Sequence, residues 1–194
     1  MTPPILGIFA SAVTGGVSTT SFESIATVSV GSGGSSSIEF TSIPGTYTHL
    51  QLRYFCQDNR GTYNDSLMNI RFNSDSGNNY AHHYLRGNGS ATEASATTST
   101  AQIQVATTAT SATSNFLGGV LDILDYANTN KYKTARILSG FDNNNTGSGS
   151  VGLIYLYSGL WQNTNAITSI SFASSLGTSF NQYSHFALYG CKSA

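Results

Sequence analysis

Short segments of alternating apolar and polar residues, separated by turn-forming residues, run along most of this chain. The densest apolar stretch lies between residues 116 and 161, where two clusters rich in Asn, Thr, Gly and Ser divide it into three apolar segments. Such segments, rich in Val, Ile, Tyr and Phe, are typical of neighbouring antiparallel strands. We therefore predict a three-stranded meander over this stretch, at the centre of the core.

Further strands are predicted on both sides of this meander. Residues 48–57 place Leu50, Leu52 and Tyr54 on one face and polar residues on the other, as in a half-buried strand. Residues 87–100 contain Gly, Ser, Ala and Thr without periodicity, so we predict a long loop there. Roughly ten short strands separated by turns indicate an all-β fold, an antiparallel β-sandwich that is jelly-roll-like.

The first twenty residues differ from the rest of the chain. We divide it into an extended N-terminal arm and linker, residues 1–20, and a β-sandwich domain, residues 21–194. The arm carries four apolar side chains that need a partner, either on its own domain or in a neighbouring subunit. They are Ile5, Leu6, Ile8 and Phe9. Since no Lys or Arg precedes them, we do not interpret this segment as a secretory signal.

The charge content excludes several classes of partner. Charged residues make up only 9% of the chain, against about 25% in average soluble proteins. The net charge is −1 and the basic residues do not cluster, so we expect no binding to nucleic acid and no binding to a membrane surface. Uncharged polar groups cost less to bury than charged ones, which suits a chain that lies against other protein.

No group of residues has the spacing of a catalytic or metal site. Asp122 and Asp125 are three positions apart on a predicted strand and so face opposite sides. His82 and His83 are adjacent and also face opposite sides. The loop that begins at Asp142 lacks the acidic twelfth residue of a calcium loop. We therefore predict that the protein is not an enzyme and has no catalytic residues, no metal and no cofactor.

Aromatic residues offer one further candidate site. They could form a platform for a sugar receptor, although packing in the core or in an interface is the commoner use of such residues in a sandwich. They are Tyr80, Tyr84, Tyr155, Tyr157 and Trp161. The two cysteines, Cys56 and Cys191, are interpreted as free thiols.

Four segments, in this order, resemble a group of small structural proteins of tailed bacteriophages. They are residues 42–53 (Ser-Ile-Pro-Gly-Thr-Tyr-Thr-His-Leu-Gln-Leu-Arg), residues 122–134, which contain Tyr-Ala-Asn-Thr-Asn-Lys, residues 157–161 (Tyr-Ser-Gly-Leu-Trp) and residues 186–190 (Phe-Ala-Leu-Tyr-Gly). The resemblance covers about residues 21–192. It implies a β-rich virion protein, often a homotrimer, without an active site.

Two roles in the virion follow from this resemblance. The first is a capsid decoration (cement) protein, assembled in the host bacterial cytoplasm, that binds the major capsid protein or another virion protein through its arm and β domain. The alternative is a tail-fibre or tail-tip module that binds a host receptor or glycan through the aromatics and the loops 87–100 and 142–150. A secreted jelly-roll enzyme acting on carbohydrates is disfavoured, since no convincing carboxylate pair is present.

Overall fold

The computed structural model describes residues 21–61, 65–109, 115–142, 152–176 and 178–192. The predicted N-terminal arm and most of the loop after Asp142 lie outside these residues. The described residues form twelve β-strands and no helix. The strands are β1 Phe22–Ser29, β2 Ser37–Phe40, β3 His49–Asp58, β4 Asp65–Phe72, β5 Tyr80–Gly87, β6 Thr92–Thr100, β7 Ile103–Ala109, β8 Leu117–Leu124, β9 Lys133–Asp142, β10 Gly152–Trp161, β11 Ile170–Ser174 and β12 His185–Cys191.

The strands form two antiparallel sheets that pack as a sandwich, as predicted. Sheet A has the order β1-β12-β3-β8-β9-β10-β5-β6, and sheet B has the order β2-β11-β4-β7. Eight of these strands, in the orders 1-12-3-8 and 2-11-4-7, have the arrangement of a jelly roll with its two interlocked Greek keys. The end of β3 also pairs with β7, which joins the two sheets along one edge.

The other four strands come from two insertions into this jelly roll. The hairpin β5–β6 follows β4, and the hairpin β9–β10 follows β8. Both hairpins add to sheet A beyond β8, where β10 pairs with β5. Sheet A therefore has twice as many strands as sheet B and extends beyond it. We call these four strands the sheet extension.

The core lies between the inward faces of the two sheets. On β3, Leu50, Leu52, Tyr54 and Cys56 are buried, as their alternation predicts. Tyr54 lies across Gly119 of β8, where a Cβ atom would be only 2.2 Å from the tyrosine ring. A side chain at position 119 would therefore displace Tyr54 from the core.

An aromatic cluster closes the core beneath β5 and β10. The rings of Tyr80 and Trp161 stack with centroids 6.3 Å apart, and Phe72 packs against both. The Trp161 indole Nε1 donates a hydrogen bond of 2.8 Å to the carboxylate of Asp75. This carboxylate also accepts hydrogen bonds from Asn79 and Gly77, so it fixes the turn between β4 and β5.

One segment differs from the sequence prediction. Residues 92–100, predicted to be part of a long loop, form strand β6, which pairs with β5 along its length. Every residue of β6 except the last is exposed, so hydrophobic alternation is absent. The strand is held through main-chain pairing at the edge of sheet A, which a pattern of buried residues does not reveal.

Candidate interaction surface and pocket

The outward face of sheet A carries two rows of mainly small and apolar residues. Both rows run from β3 through β8 into the sheet extension. One row runs from Phe55 through Gly118 and Gly140 to Ile154 and Gly87. The next row runs from Arg53 through the side chains of Val120, Leu138, Leu156 and Leu85. We define the outer apolar face as the side chains of Phe55, Leu85, Val120, Leu138, Ile154 and Leu156.

These apolar side chains are unusually exposed. Between 52% and 60% of each is exposed, with the exception of the partly buried Val120. Scattered exposed leucines are ordinary, but neighbouring ones across five strands form a contiguous patch. Patches of this kind mark sites of interaction with other molecules.

A shallow groove crosses the middle of the outer apolar face. It has a volume of about 620 Å³ and is bordered by Val120, Leu138 and Ile154. The backbone at Gly118 and Gly140, where there are no side chains, forms the floor of the groove. At Gly140 a Cβ atom would lie 2.8 Å from the carbonyl oxygen of Leu153, so the close approach of β9 and β10 requires glycine there.

Aromatic rings and one arginine border this face on the side of β3. Phe55 stacks on Phe116 with ring centroids 5.5 Å apart. Phe22 stacks on Tyr189 at 4.7 Å, and the Arg53 guanidinium lies 5.4 Å from the Phe22 ring. The guanidinium charge is thus placed against aromatic faces, a favourable contact that also covers apolar surface.

The next row of the same outward face is polar and limits the apolar patch. It contains Gln51, Asp122, Arg136, Ser158 and His83 in register across five strands. Gln51 donates a hydrogen bond of 2.8 Å to Asp122. The outward face therefore changes from apolar to polar at this row.

A second feature lies on the inward face of the sheet extension, where sheet A extends past β4 and β7. A pocket of about 350 Å³ is lined by polar and aromatic side chains from β4, β5 and β10. We call it the tyrosine pocket. Its lining includes Ser66, His82, Tyr84, Arg86, Tyr155 and Tyr157.

The structure separates the aromatic residues that the sequence singled out. Tyr80 and Trp161 are buried in the core, with at most 1% of either exposed. Tyr84, Tyr155 and Tyr157 line the tyrosine pocket, and of these Tyr155 and Tyr157 are also core residues, 3% and 2% exposed. The arm residues form the other predicted partner site and lie outside the described part of the chain. They are Ile5, Leu6, Ile8 and Phe9.

The side chains considered for chemistry are apart from one another. Asp122 is on the outward face, whereas Asp125 lies in the turn after β8 and forms an ion pair with Lys131. His82 is buried and His83 is exposed, on opposite faces of β5. Among the residues that the structure describes, no group of three or more His, Cys, Asp or Glu side chains could hold a metal ion.

Both cysteines are free thiols. Cys56 is fully buried beside the hydroxyl of Thr107, 3.2 Å away, and burial raises the pKa of its thiol to about 12. A thiol of such high pKa holds its proton at neutral pH and is a poor nucleophile. Cys56 therefore acts as a small apolar residue of the core.

The sequence pattern pointed to the right strands but did not reveal the outer apolar face. Leu138, Ile154 and Leu156 belong to the apolar stretch that was assigned to the core, and the structure places them outside. The signal that could have found them is apolarity at consecutive positions of β9 and β10. A strand with one buried face and one solvent-exposed face requires apolar residues only at every second position.

No family model matches this chain, and neither a curated protein nor a solved structure matches it. Within the described ranges, no helix is long and apolar enough to cross a membrane. The fold and the two surfaces define a jelly-roll domain with an exposed apolar face and a small polar pocket.

Proposed function

We propose that this protein is a structural subunit of a tailed-bacteriophage virion, specifically a capsid decoration protein that binds the head lattice. The outer apolar face is the observation that carries this proposal. A contiguous apolar patch of this kind favours assembly with other protein. Jelly rolls serve in viral capsids as well as in lectins, and the sequence resemblance favours the virion.

The exposed apolar area of the outer apolar face allows the free energy gained on its burial to be approximated. Burial of the remaining exposed part of its five most exposed side chains contributes roughly 1 kcal/mol each, or about 5 kcal/mol together. Loss of rotational and translational freedom on association costs about 4–15 kcal/mol. This face alone therefore supports only weak attachment, and a second contact is needed.

The N-terminal arm is the proposed second contact. Its four apolar side chains could add roughly 1.5–3 kcal/mol each when buried in a neighbouring protein. Among the described strands β1 pairs only with β12, so the chain enters β1 at the edge of sheet A as far as the structure describes it. Residues 10–20 in extended form span at most about 36 Å, enough to reach an adjacent subunit.

Low charge makes the β domain suitable for such contacts. With a net charge of −1 and only 9% charged residues, few ionised groups lose water when this surface is covered. The partner we propose is the major capsid protein or another virion protein. We propose a homo-oligomer, and a trimer in particular by analogy with the proteins that the sequence resembles. Its proposed location is the virion.

Substitution of the outer apolar face tests this proposal. In the triple variant Leu138→Ser, Ile154→Ser, Leu156→Ser we expect unchanged folding, because the three side chains are exposed, and at least tenfold lower occupancy on virions. A loss of about 3 kcal/mol corresponds to more than a hundredfold in affinity. Occupancy is measured by quantitative mass spectrometry of purified particles.

Leu176 provides the matched control. It is 51% exposed but lies in the turn after β11, outside the outer apolar face. Leu176→Ser should therefore leave occupancy unchanged. If the triple variant is folded and still occupies virions at the wild-type level, the outer apolar face is not the attachment surface.

The tail-fibre or tail-tip role is the second candidate, and the tyrosine pocket favours it. The same preparations distinguish the two roles when heads and tails are separated before analysis. The decoration role predicts that the protein remains with the heads. Recovery with the tails would favour a receptor-binding module.

A further inference from the structure

Strands of the sheet extension and of sheet B meet at the tyrosine pocket, and both contribute residues to its lining. Tyr84 and Arg86 come from β5, Tyr155 and Tyr157 come from β10, and Ser66 comes from β4 of sheet B. Its volume of about 350 Å³ lies at the lower end of the range of small-molecule sites. A single ring-sized ligand suits this space.

Two polar atoms of residues in its lining have no hydrogen-bond partner among the residues that the structure describes. They are the Oγ of Ser66 and the Nδ1 of His82, in residues that are only 1% and 6% exposed. Buried polar atoms are paired in the great majority of cases. Two such atoms in residues that line one pocket are candidates for hydrogen bonds to a bound molecule.

Two arginines line the pocket, Arg60 and Arg86, and the charge of Arg86 is matched within the wall. Arg86 forms an ion pair with Glu93, and its Nη1 lies 3.4 Å from the Tyr155 hydroxyl. The hydroxyl of Tyr84 donates to the same Glu93 carboxylate at 2.9 Å. Since Glu93 compensates the Arg86 charge, this wall favours a neutral ligand over an anion.

His82 adds a neutral group that can both donate and accept. Burial lowers the pKa of its imidazole, so the uncharged form is present at neutral pH. Neutral imidazole has one N–H donor and one acceptor nitrogen, and the Ser66 hydroxyl also serves in both roles. Such groups match ligand hydroxyls.

The tyrosine rings lie beside these groups, where Tyr84 is partly exposed and Tyr155 and Tyr157 are 3% and 2% exposed. Tyr155 and Tyr157 stack with centroids 5.3 Å apart, and the Tyr84 ring packs against both. A sugar ring presents C–H groups and hydroxyls side by side, so it needs aromatic carbon and hydrogen-bonding atoms in one small site. The tyrosine pocket supplies both kinds of contact.

We propose that the tyrosine pocket binds one neutral monosaccharide unit of a glycan. This inference goes beyond the virion role and holds for attachment to heads or to tails. Of the five aromatic residues that the sequence analysis considered for sugar binding, this inference retains Tyr84, Tyr155 and Tyr157.

Nuclear magnetic resonance titration of the full-length protein tests the site. The probes are the methyl glycosides of glucose, galactose, mannose and N-acetylglucosamine, taken well into the millimolar range, with inorganic phosphate as the anionic probe. We expect at least one glycoside to shift the His82 ring resonances and to leave those of His83 unchanged.

Substitutions separate binding from folding. Ser66→Ala should weaken glycoside binding about tenfold through loss of one hydrogen bond. It should leave the melting temperature of the free protein unchanged or slightly higher, because the removed hydroxyl had no partner. His82→Gln should weaken binding too, whereas His83→Gln on the opposite face of β5 is the matched control and should not.

Three results would overturn the inference. They are the absence of His82 shifts with all four glycosides in the folded protein, shifts with phosphate instead of sugar, and equal affinity in Ser66→Ala and wild type. The outer-face triple variant retains the tyrosine pocket, so it should still bind the glycoside. Failure of virion attachment and failure of sugar binding are therefore distinguishable.

Discussion

At the scale of single residues, Lys133 explains the most specific of the four resembling segments. It is fully buried at the start of β9. Its ammonium donates hydrogen bonds to the carbonyl oxygens of Asn128, Lys131 and Thr164 at 2.5, 2.8 and 3.0 Å. One side chain thereby fixes the turn that contains Tyr-Ala-Asn-Thr-Asn-Lys and ties it to the segment after β10. The conspicuous motif is thus structural.

Lys133→Met tests this role. Methionine keeps most of the buried stem but leaves three carbonyl groups without their donor, so we expect a loss of about 2–4 kcal/mol in unfolding free energy. For a protein of this size the melting temperature should fall by about 5–12 °C, measured by circular dichroism.

Lys131→Met is the matched control for that measurement. The Lys131 side chain is 53% exposed and pairs with Asp125 at the surface, where ion pairs contribute little. Its backbone carbonyl, which accepts from Lys133, is unaffected. If both variants melt at the same temperature, the buried ammonium does not hold the turn.

At the scale of strands, the sequence predicts elements well where one face is buried. The alternation of Leu50, Leu52, Tyr54 and Cys56 gave the correct inward face of β3 because sheet B covers one side only. It failed for β6, whose Thr, Ser and Ala residues are exposed on both faces. Main-chain hydrogen bonds to β5 determine that strand, and they are independent of side-chain pattern.

The candidate surfaces were harder to predict than the strands. Consecutive apolar positions on β9 and β10 indicate that some apolar side chains lie outside, but only the position of sheet B shows that these are Leu138, Ile154 and Leu156. The tyrosine pocket joins Ser66 with residues almost a hundred positions later in the chain. Both features depend on the two inserted hairpins lying side by side, which no local pattern specifies.

The arm is the remaining element, and its deletion gives a further prediction. Removal of residues 2–13 should leave the melting temperature nearly unchanged, because the described strands bury their core side chains against one another. Occupancy on virions should fall at least tenfold through loss of four apolar contacts. Melting curves and particle mass spectrometry measure the two effects.

A full-length control variant distinguishes the effect of shortening the chain from the effect of removing the apolar side chains of the arm. Replacing all four apolar arm residues by serine retains the chain but removes their apolar side chains, and should reduce occupancy as much as the deletion. Full occupancy in both variants would contradict a role of the arm in attachment. The replaced residues are Ile5, Leu6, Ile8 and Phe9.

At the scale of the whole molecule, the jelly roll and its insertions contribute different features. Eight strands form the sandwich and bury most of the core, as in a stable domain of this size. The sheet extension carries most of the outer apolar face on one side and the tyrosine pocket on the other. The inserted strands thus carry both candidate surfaces and also contribute core residues such as Tyr80 and Trp161.

The central claim is that the outer apolar face attaches this protein to a virion. Single-particle cryo-electron microscopy of intact virions tests it most directly. Our account predicts jelly-roll density at regular positions on the head, with Leu138, Ile154 and Leu156 against another protein. Density on the head with that face toward solvent, or no density on any particle, would contradict the account.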